Sequence, residues 1–256
     1  KLGFNVNNGI RFRKKLEQPH GIVLITGPTG SGKSTTLYTA LSFLNKEERK
    51  IITVEDPIEY HLEGVNQIQV KTQIGLTFSR ALRSIVRQDP DIIMIGEMRD
   101  AETAAIAVQS ALTGHLVLST LHTNNAASSV TRLLDMGIEN YLLSSTLNGI
   151  LAQRLVRKLC PHCKQAYELD SKIAEEVRPY LESPSQQLTA CKAQGCTECD
   201  GIGYKGRVAI FEYLEITDSI KHLINKSAND SEIYRAALSE GMLPIRIDGL
   251  LKALNG

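Results

Sequence analysis

The sequence predicts an α/β protein built around a mostly parallel β-sheet, and three observations support this fold class. Short apolar runs alternate with helix-length segments over residues 22–120, as expected of parallel strands joined by crossover helices that cover both faces of the sheet. The first run, residues 22–25, leads into a glycine-rich loop and a predicted helix at residues 35–44. With 256 residues and 42% hydrophobic content, the chain can bury one core and add a second small unit.

The loop after the first predicted strand has the composition of a phosphate-binding loop. With the residue that follows it, its members are the predicted ATP-binding residues Gly27, Pro28, Thr29, Gly30, Ser31, Gly32, Lys33, Ser34 and Thr35. The glycines allow the backbone to aim its N–H groups inward, Lys33 can reach the β- and γ-phosphates, and Ser34 can place a hydroxyl on Mg²⁺. The alternative is a glycine-rich turn that happens to be followed by a lysine. This alternative requires the flanking strand and helix to be present by coincidence.

Acidic residues follow the next two predicted buried strands. The strand at residues 50–54 ends in Glu55, and the strand at residues 91–95 is followed by Gly96 and Glu97. Ligands bind at the carboxyl ends of the strands in open α/β sheets. Both glutamates are therefore candidates for Mg²⁺ or for the attacking water, while the alternative for Glu55 is a solvated acidic turn.

The two glutamates are predicted to have different roles. Gly96 stands where an aspartate that binds metal is usual, so we expect Glu97 to hold Mg²⁺ together with Ser34. Glu55 is expected to orient and deprotonate the attacking water, because sheets of this kind place that role beside the strand that carries the metal ligand. His122, at the end of a further strand, is a candidate γ-phosphate sensor, although a single histidine is more often structural. The predicted catalytic residues are thus Glu55, Glu97, Lys33 and His122.

The remaining elements are predicted from hydrophobic periodicity. Further strands are expected at residues 65–70 (an edge strand), 115–120 and 208–213. Helices are expected from residue 77 onward, and at residues 101–112, 130–136, 141–159, 171–181, 219–225 and 231–239. Asp100 is expected to cap the second of these helices. No regular element is predicted before residue 20.

Three arginines in the helix after residue 77 lie at spacings of three and four. Arg80, Arg83 and Arg87 should therefore share one helix face. Such a stripe is either solvated surface or a phosphate or subunit contact, and the sequence leaves both open.

Four of the five cysteines form two Cys-x-x-Cys pairs. Cys160, Cys163, Cys196 and Cys199 can present four thiolates to one tetrahedral Zn²⁺ ion. The 32 residues between the pairs exceed the usual spacing of about 15–20 residues, so this insert should form its own small structure. Cys191 is expected to be a free thiol. The alternative is that one Cys-x-x-Cys pair is a redox site. The presence of two matched pairs argues against that alternative.

The charge balance and the hydropathy narrow the functional classes. The 29 basic and 28 acidic residues are interspersed and give a net charge of +1. The protein therefore has no overall positive potential that would attract nucleic acid, and nucleic acid is not expected as a partner. No apolar run approaches the ~20 residues of a membrane span, and no signal segment opens the chain. These patterns predict a cytoplasmic protein. The chain starts at Lys1 without methionine, and we expect it to be part of a longer protein.

Four motifs in order resemble those of the secretion ATPase superfamily. They are the phosphate loop at residues 27–34 (Walker A), residues 54–59 (the Asp box), residues 96–100 (an atypical Walker B) and residues 113–124 (the His box). The cysteine pairs and the sequence of residues 151–160 are similar to those of the type II secretion assembly ATPases. The type IV pilus extension motors are the next most similar group.

The resemblance implies a RecA-like P-loop ATPase core, a tetracysteine zinc module and a C-terminal helical lobe, placed at residues 1–158, 159–206 and 207–256. It also implies a homo-hexamer, peripheral to the inner membrane, that uses ATP, Mg²⁺ and Zn²⁺, binds inner-membrane secretion components and assembles a pilin-like filament. The resemblance also implies an amino-terminal domain that supplies activating arginines, which we expect to lie in the longer protein outside residues 1–256. Two alternatives belong to other functional classes. One is a hexameric nucleic-acid translocase, and the other is a metal-binding scaffold with a degenerate nucleotide site.

Overall fold

The structure, a computed structural model, describes residues 2–181 and 188–255. The strands are β1 (Gly21–Thr26), β2 (Ile51–Glu55), β3 (Asn66–Gln69), β4 (Ile92–Ile95), β5 (Leu116–Leu121), β6 (Leu147–Leu159), β7 (Gln165–Glu168), β8 (Thr189–Lys192) and β9 (Tyr204–Glu215). The α-helices are α1 (Val6–Leu16), α2 (Lys33–Leu44), α3 (Phe78–Ile85), α4 (Ala101–Leu112), α5 (Ala127–Asp135), α6 (Asn140–Thr146), α7 (Ser171–Val177), α8 (Asp218–Asn225), α9 (Asp230–Ser239) and α10 (Ile245–Leu254).

One mostly parallel sheet organises the described residues. Its strand order is β3-β2-β4-β5-β1-β6-β9, and every neighbouring pair is parallel except β6 and β9. The predicted fold class is confirmed, and β3 lies at an edge as expected. Strands β7 and β8 form a separate antiparallel pair within the cysteine-flanked insert.

Both faces of the sheet are covered, which explains why its central strands are apolar throughout. All residues of β1 and β5 are buried, as expected for parallel strands between two helical layers. One face packs against α3 to α6, α8 and α9, and the other against α1 and α2. The sheet therefore separates two apolar cores.

The predicted helix at residues 141–159 is wrong over most of its length. Helix α6 ends at Thr146, and residues 147–159 form β6, which pairs with β1 on one side and β9 on the other. The apolar residues Leu147, Ile150, Leu151 and Leu155 also fit a helical spacing, and periodicity alone cannot assign a short segment of this kind to a helix or a strand. The basic residues Arg154, Arg157 and Lys158 thus lie on a strand.

The sequence analysis did not predict two helices, α1 near the amino end of the described residues and α10 near the carboxyl end. In α1, Asn5 caps the first turn by accepting from Asn8 N at 2.8 Å, and Phe12 and Leu16 are buried. Helix α10 is fixed to β9 by buried Asp248, whose Oδ2 accepts from Phe211 N at 2.8 Å. The predicted cap of α4 is confirmed, since Asp100 Oδ1 accepts from Thr103 N at 2.8 Å.

The insert between the cysteine pairs has its own small apolar cluster. Ala174 and Val177 of α7 and Leu188 pack with Leu250 and Leu254 of α10. Part of this insert, residues 182–187, lies outside the described residues. Strand β9 follows the cysteine module and returns to the main sheet. The division into three units at residues 158 and 206 stays a prediction.

None of the helices in residues 2–181 and 188–255 has the length and apolar character needed to cross a membrane.

The tight contact between β6 and β9 generates a stability prediction. A Cβ on Gly149 would lie 2.5 Å from the hydroxyl of Tyr213, which is almost fully buried and cannot move away cheaply. Gly149→Ala should lower the free energy of unfolding by about 1–3 kcal/mol, the usual cost of overpacking. Gly249→Ala is the control, because its added Cβ makes only ordinary contact at 3.5 Å from Ile210.

Urea denaturation of the two variants and the unsubstituted chain measures both changes. The control should be neutral or stabilised by up to ~1 kcal/mol, because alanine favours the helix. Equal stability of Gly149→Ala and the unsubstituted chain would show that the β6–β9 contact is looser than the structure indicates.

Candidate functional site

A cavity of about 630 Å³ lies at the carboxyl ends of β1, β2, β4 and β5. Most of the predicted site residues line it: Thr29, Gly30, Ser31, Gly32, Lys33, Ser34, Thr35, Glu55, Glu97 and His122. The fold therefore brings together residues from four separate sequence motifs. Gly27 and Pro28, which begin the loop, are not among the residues that line this cavity.

The glycine-rich loop has a backbone that only glycine adopts readily. Gly30 and Gly32 have φ angles of +77° and +86°, in the left-handed region. Gly32 is also the residue from which α2 begins, so the loop ends at a helix N-terminus. Loop N–H groups and the helix dipole together suit an anionic group at this position.

The ammonium group of Lys33 lies within the loop. Its Nζ donates to the carbonyl oxygens of Gly27 and Pro28, at 2.8 and 3.1 Å. Burial lowers the pKa of Lys33 from its ordinary value, and the nearby carboxylate of Glu97 partly opposes this shift. A second negative charge in the cavity would favour the charged form of this lysine.

Glu55 is a buried carboxylate with several donors, and its residue is only 3% exposed. One oxygen accepts from Thr53 Oγ1 at 2.5 Å and from Gln67 Nε2 at 3.1 Å. The other oxygen accepts from the hydroxyl of Tyr38 on α2. These donors hold the carboxylate in one orientation.

Tyr38 connects the helix after the phosphate loop to the acidic motif. Its hydroxyl donates to Glu55 and accepts from the backbone N–H of Glu59 at 3.2 Å. Burial and the neighbouring Glu55 raise the pKa of Tyr38 to about 12. The phenol therefore remains a hydrogen-bond donor at neutral pH. Sequence analysis missed Tyr38, whose only signal is a tyrosine on the apolar face of a predicted helix.

Glu97 has a different environment from Glu55. Its two oxygens contact Arg99 Nε at 2.8 Å and His122 Nε2 at 3.1 Å, and its side chain is 18% exposed. The structure thus pairs two residues that sequence analysis selected separately, Glu97 and His122. Arg99 and Arg207 also line the cavity and were missed, since isolated arginines carry no distinguishing pattern.

The loop that carries His122 is attached to the strand before the phosphate loop. Thr26 at the end of β1 donates through Oγ1 to Leu121 O at 3.1 Å and accepts from Thr123 N at 2.9 Å. Thr123 and Ser129 share a further hydroxyl contact of 2.7 Å. These bonds fix the position of His122 relative to the phosphate loop.

The arginine stripe on α3 and the following turn does not line the main cavity. Arg80, Arg83 and Arg87 line a second cavity of about 440 Å³ with Glu102 of α4. Arg83 forms an ion pair with Glu102 at 2.6 Å, and both side chains are more than half exposed. The three arginines are thus exposed in this chain, and Arg80 also donates to the carbonyl oxygen of Gly75 at 3.4 Å. A phosphate or subunit contact of this stripe stays a hypothesis.

The four cysteines of the two Cys-x-x-Cys pairs converge on one point. The Sγ atoms of Cys160, Cys163, Cys196 and Cys199 all lie within 4.8 Å of one another. The backbone N–H of Gly203 points at Cys199 Sγ from 3.2 Å, and such donors stabilise thiolates. The donor set is compatible with zinc.

Cys191 lies in β8, outside this cluster. Its separation from the paired cysteines agrees with the prediction that it is a free thiol.

A family model described as "Type II/IV secretion system protein" matches residues 1–256. The chain is 58% identical to "Type II secretion system protein E" of Xanthomonas campestris pv. campestris and 51% identical to "Type II secretion system ATPase E" of Vibrio cholerae. It is 49% identical to "Type IV pilus assembly ATPase PilB" of Myxococcus xanthus. These alignments cover 100% of the chain but 45%, 50% and 45% of the relatives, so the chain spans about half of their length.

A solved structure, "Pilus Retraction Motor PilT and Bound ADP", has a similar fold. The TM-score is 0.65 at 30% sequence identity, and the match covers 96% of this chain and 64% of that one.

Proposed function

The chain belongs to the type II/IV secretion system protein family, and from this premise we propose that it is the ATP-hydrolysing part of a motor that powers type II protein secretion. The observation that carries the proposal is the convergence of Lys33, Ser34, Glu55, Glu97 and His122 on one cavity at the strand ends. Relatives at 51–58% identity whose names place them in type II secretion support it. The 49% identical pilus relative makes type IV pilus extension the second candidate.

We further propose the assembly and location that the family resemblance implies. The full-length protein acts as a homo-hexamer at the cytoplasmic side of the inner membrane and contacts membrane components of the secretion system. Activating arginines come from a neighbouring domain or subunit, and such donors can contribute ~10³-fold or more in rate. Co-purification of the full-length protein with secretion components, and not with nucleic acid, separates this proposal from a nucleic-acid translocase.

ATP is held by the phosphate loop in this proposal. The N–H groups from Gly30 to Ser34 and the ammonium of Lys33 bind the phosphates, and the N-terminus of α2 adds a fractional positive charge. Ser34 and one acidic residue would hold Mg²⁺, which neutralises phosphate charge when bound. His122 lies against Glu97 at 3.1 Å, where it can transmit the state of the γ-phosphate to the strand ends.

The contacts of the two glutamates favour exchanging the roles that the sequence suggests. Glu55 accepts three hydrogen bonds, so only about one of its four lone-pair positions remains for a metal-bound water. Glu97 is more open, with an 18% exposed side chain, and the side chains of its partners Arg99 and His122 are 62% and 43% exposed. We therefore propose that Glu97 is the base for the attacking water. Glu55 is then the carboxylate, fixed by its three donors, that would hold Mg²⁺ through a metal-bound water.

The first test removes the cation of the phosphate loop. Lys33→Ala should bind ATP about 10–100-fold more weakly and lose hydrolysis, because hydrogen bonds to charged groups contribute ~1.5–3 kcal/mol. Lys46→Ala, which removes an exposed lysine beyond the other end of α2, is the matched control. Calorimetric titration with Mg-ATP measures both, and unchanged affinity in Lys33→Ala would refute the phosphate assignment.

The second test separates the two glutamates across a Mg²⁺ titration. Glu97→Gln should retain ATP affinity and lose ~10²–10⁴-fold in turnover at every Mg²⁺ concentration, because a positioned base is lost. Glu55→Gln should raise the Mg²⁺ concentration needed for half-maximal activity. If Glu97→Gln shifts the Mg²⁺ requirement and Glu55→Gln does not, the original sequence assignment is correct.

The third test concerns the cysteine cluster, to which we assign one structural Zn²⁺ per chain. Protein purified under reducing conditions should contain one equivalent of zinc by metal analysis, and Cys199→Ser should lose it and melt at a lower temperature. Cys191→Ser changes a cysteine outside the cluster and should retain the metal. Zinc-free unsubstituted protein, or full zinc in Cys199→Ser, would overturn the assignment.

A further inference from the structure

Gln153 is a buried polar residue beneath the phosphate loop that the proposed mechanism does not use. It lies on β6 and is 2% exposed. Its Nε2 donates to the carbonyl oxygen of Ser31 at 2.7 Å, and its Oε1 accepts from the hydroxyl of Thr36 at 2.6 Å. Because a carbonyl can only accept, the atom that faces Ser31 must be the nitrogen. Both the nitrogen and the oxygen of the side-chain amide are therefore used in hydrogen bonds.

The register of the sheet places Gln153 at this position. Strand β6 pairs with β1 until Thr26 lies opposite Ala152, where β1 ends and the loop begins. Strand β6 continues, so its next residue lies beside the first loop residue. A Cβ on Gly27 would lie 2.3 Å from the backbone oxygen of Gln153, and a Cβ on Gly32 would lie 2.8 Å from its Nε2.

Gln153 thus contacts the loop at its start, in its middle and at its junction with α2. Its bond to Ser31 fixes the orientation of one peptide unit in a segment whose glycines allow many conformations. In a trans peptide the C=O and the following N–H point in opposite directions, so this bond also turns the N–H of Gly32 away from β6. Its bond with Thr36 holds the first turn of α2.

We propose that Gln153 is a positioning residue that sets the phosphate loop in its anion-binding conformation. The proposal rests on the proposed ATP-binding function of that loop. The amide fixes the loop before the nucleotide arrives, so that binding does not require the glycine-rich backbone to be ordered at that step. The bonds join residues 122 and 117 positions apart, so the effect depends on the fold of β6 against β1.

Gln153→Glu tests the donor with almost no change in shape. At a pH at which it is ionised, the introduced carboxylate can still accept from Thr36 but cannot donate to Ser31, and it places a negative charge below the phosphate site. We expect about tenfold or greater weakening of Mg-ATP binding by calorimetry, because the loop loses one buried donor and gains a repulsive charge. Thr146→Val is the matched control, since it removes another buried hydroxyl on α6, away from the loop.

The partner residue provides a second, independent variant. Thr36→Val removes the hydroxyl that donates to Gln153, while Thr36→Ser keeps it. A positioning role predicts weaker ATP binding for Thr36→Val and near-complete rescue by Thr36→Ser, with melting temperatures of all variants recorded. A purely structural role predicts that melting temperatures fall while ATP affinity of the folded fraction stays the same.

The outcomes distinguish this inference from the proposed function. If the unsubstituted chain does not bind Mg-ATP, the proposed function fails. If it binds and folded Gln153→Glu binds equally well, the inference about Gln153 is wrong. If Gln153→Glu does not fold, the Thr36 pair decides: equal affinity of Thr36→Val and the unsubstituted chain overturns the inference, and weakened affinity restored in Thr36→Ser supports it.

Discussion

The pairing of β1 with β6 is the constraint on which most of this structure depends. Strand β1 ends in the phosphate loop, and β6 runs parallel beside it and then continues past its end. The same strand pairs with β9 on its other edge and leads to Cys160 in the cysteine cluster. One strand therefore supports the loop and connects it to the cysteine module, while its neighbour β9 leads into the carboxyl-terminal helices.

A buried carboxyl group connects those carboxyl-terminal helices to the site. Glu212 on β9 is 1% exposed and accepts from the backbone N–H groups of Ala126 at 3.0 Å and Ile245 at 3.3 Å. These residues lie at the starts of α5 and α10, where helix dipoles favour a negative charge. Burial raises the pKa of Glu212, while these N–H groups oppose the shift. The loop that carries His122 is thus held close to the helices that end the chain.

The two site glutamates show how equal residue types acquire different environments. Glu55 ends β2 and Glu97 follows β4, and the sequence predicts that both lie at the carboxyl ends of parallel strands. Glu55 faces α2 and receives three donors, whereas Glu97 faces the loop after β5 and contacts His122. Strand order decides this difference, because β4 lies beside β5 while β2 lies beside the edge strand. No local pattern around either glutamate contains that information.

The parallel sheet, the phosphate loop, the acidic strand ends and the cysteine pairs could be predicted from the sequence, because each depends on residues that are close in the chain. The tertiary structure was needed to establish that residues 147–159 form a strand, because their apolar residues also fit a helical spacing. It also decided the partners of Tyr38 and Gln153, two residues whose neighbours in sequence give no sign of a polar contact. Their hydrogen bonds join distant segments, and such contacts exist only once strand order and register are fixed.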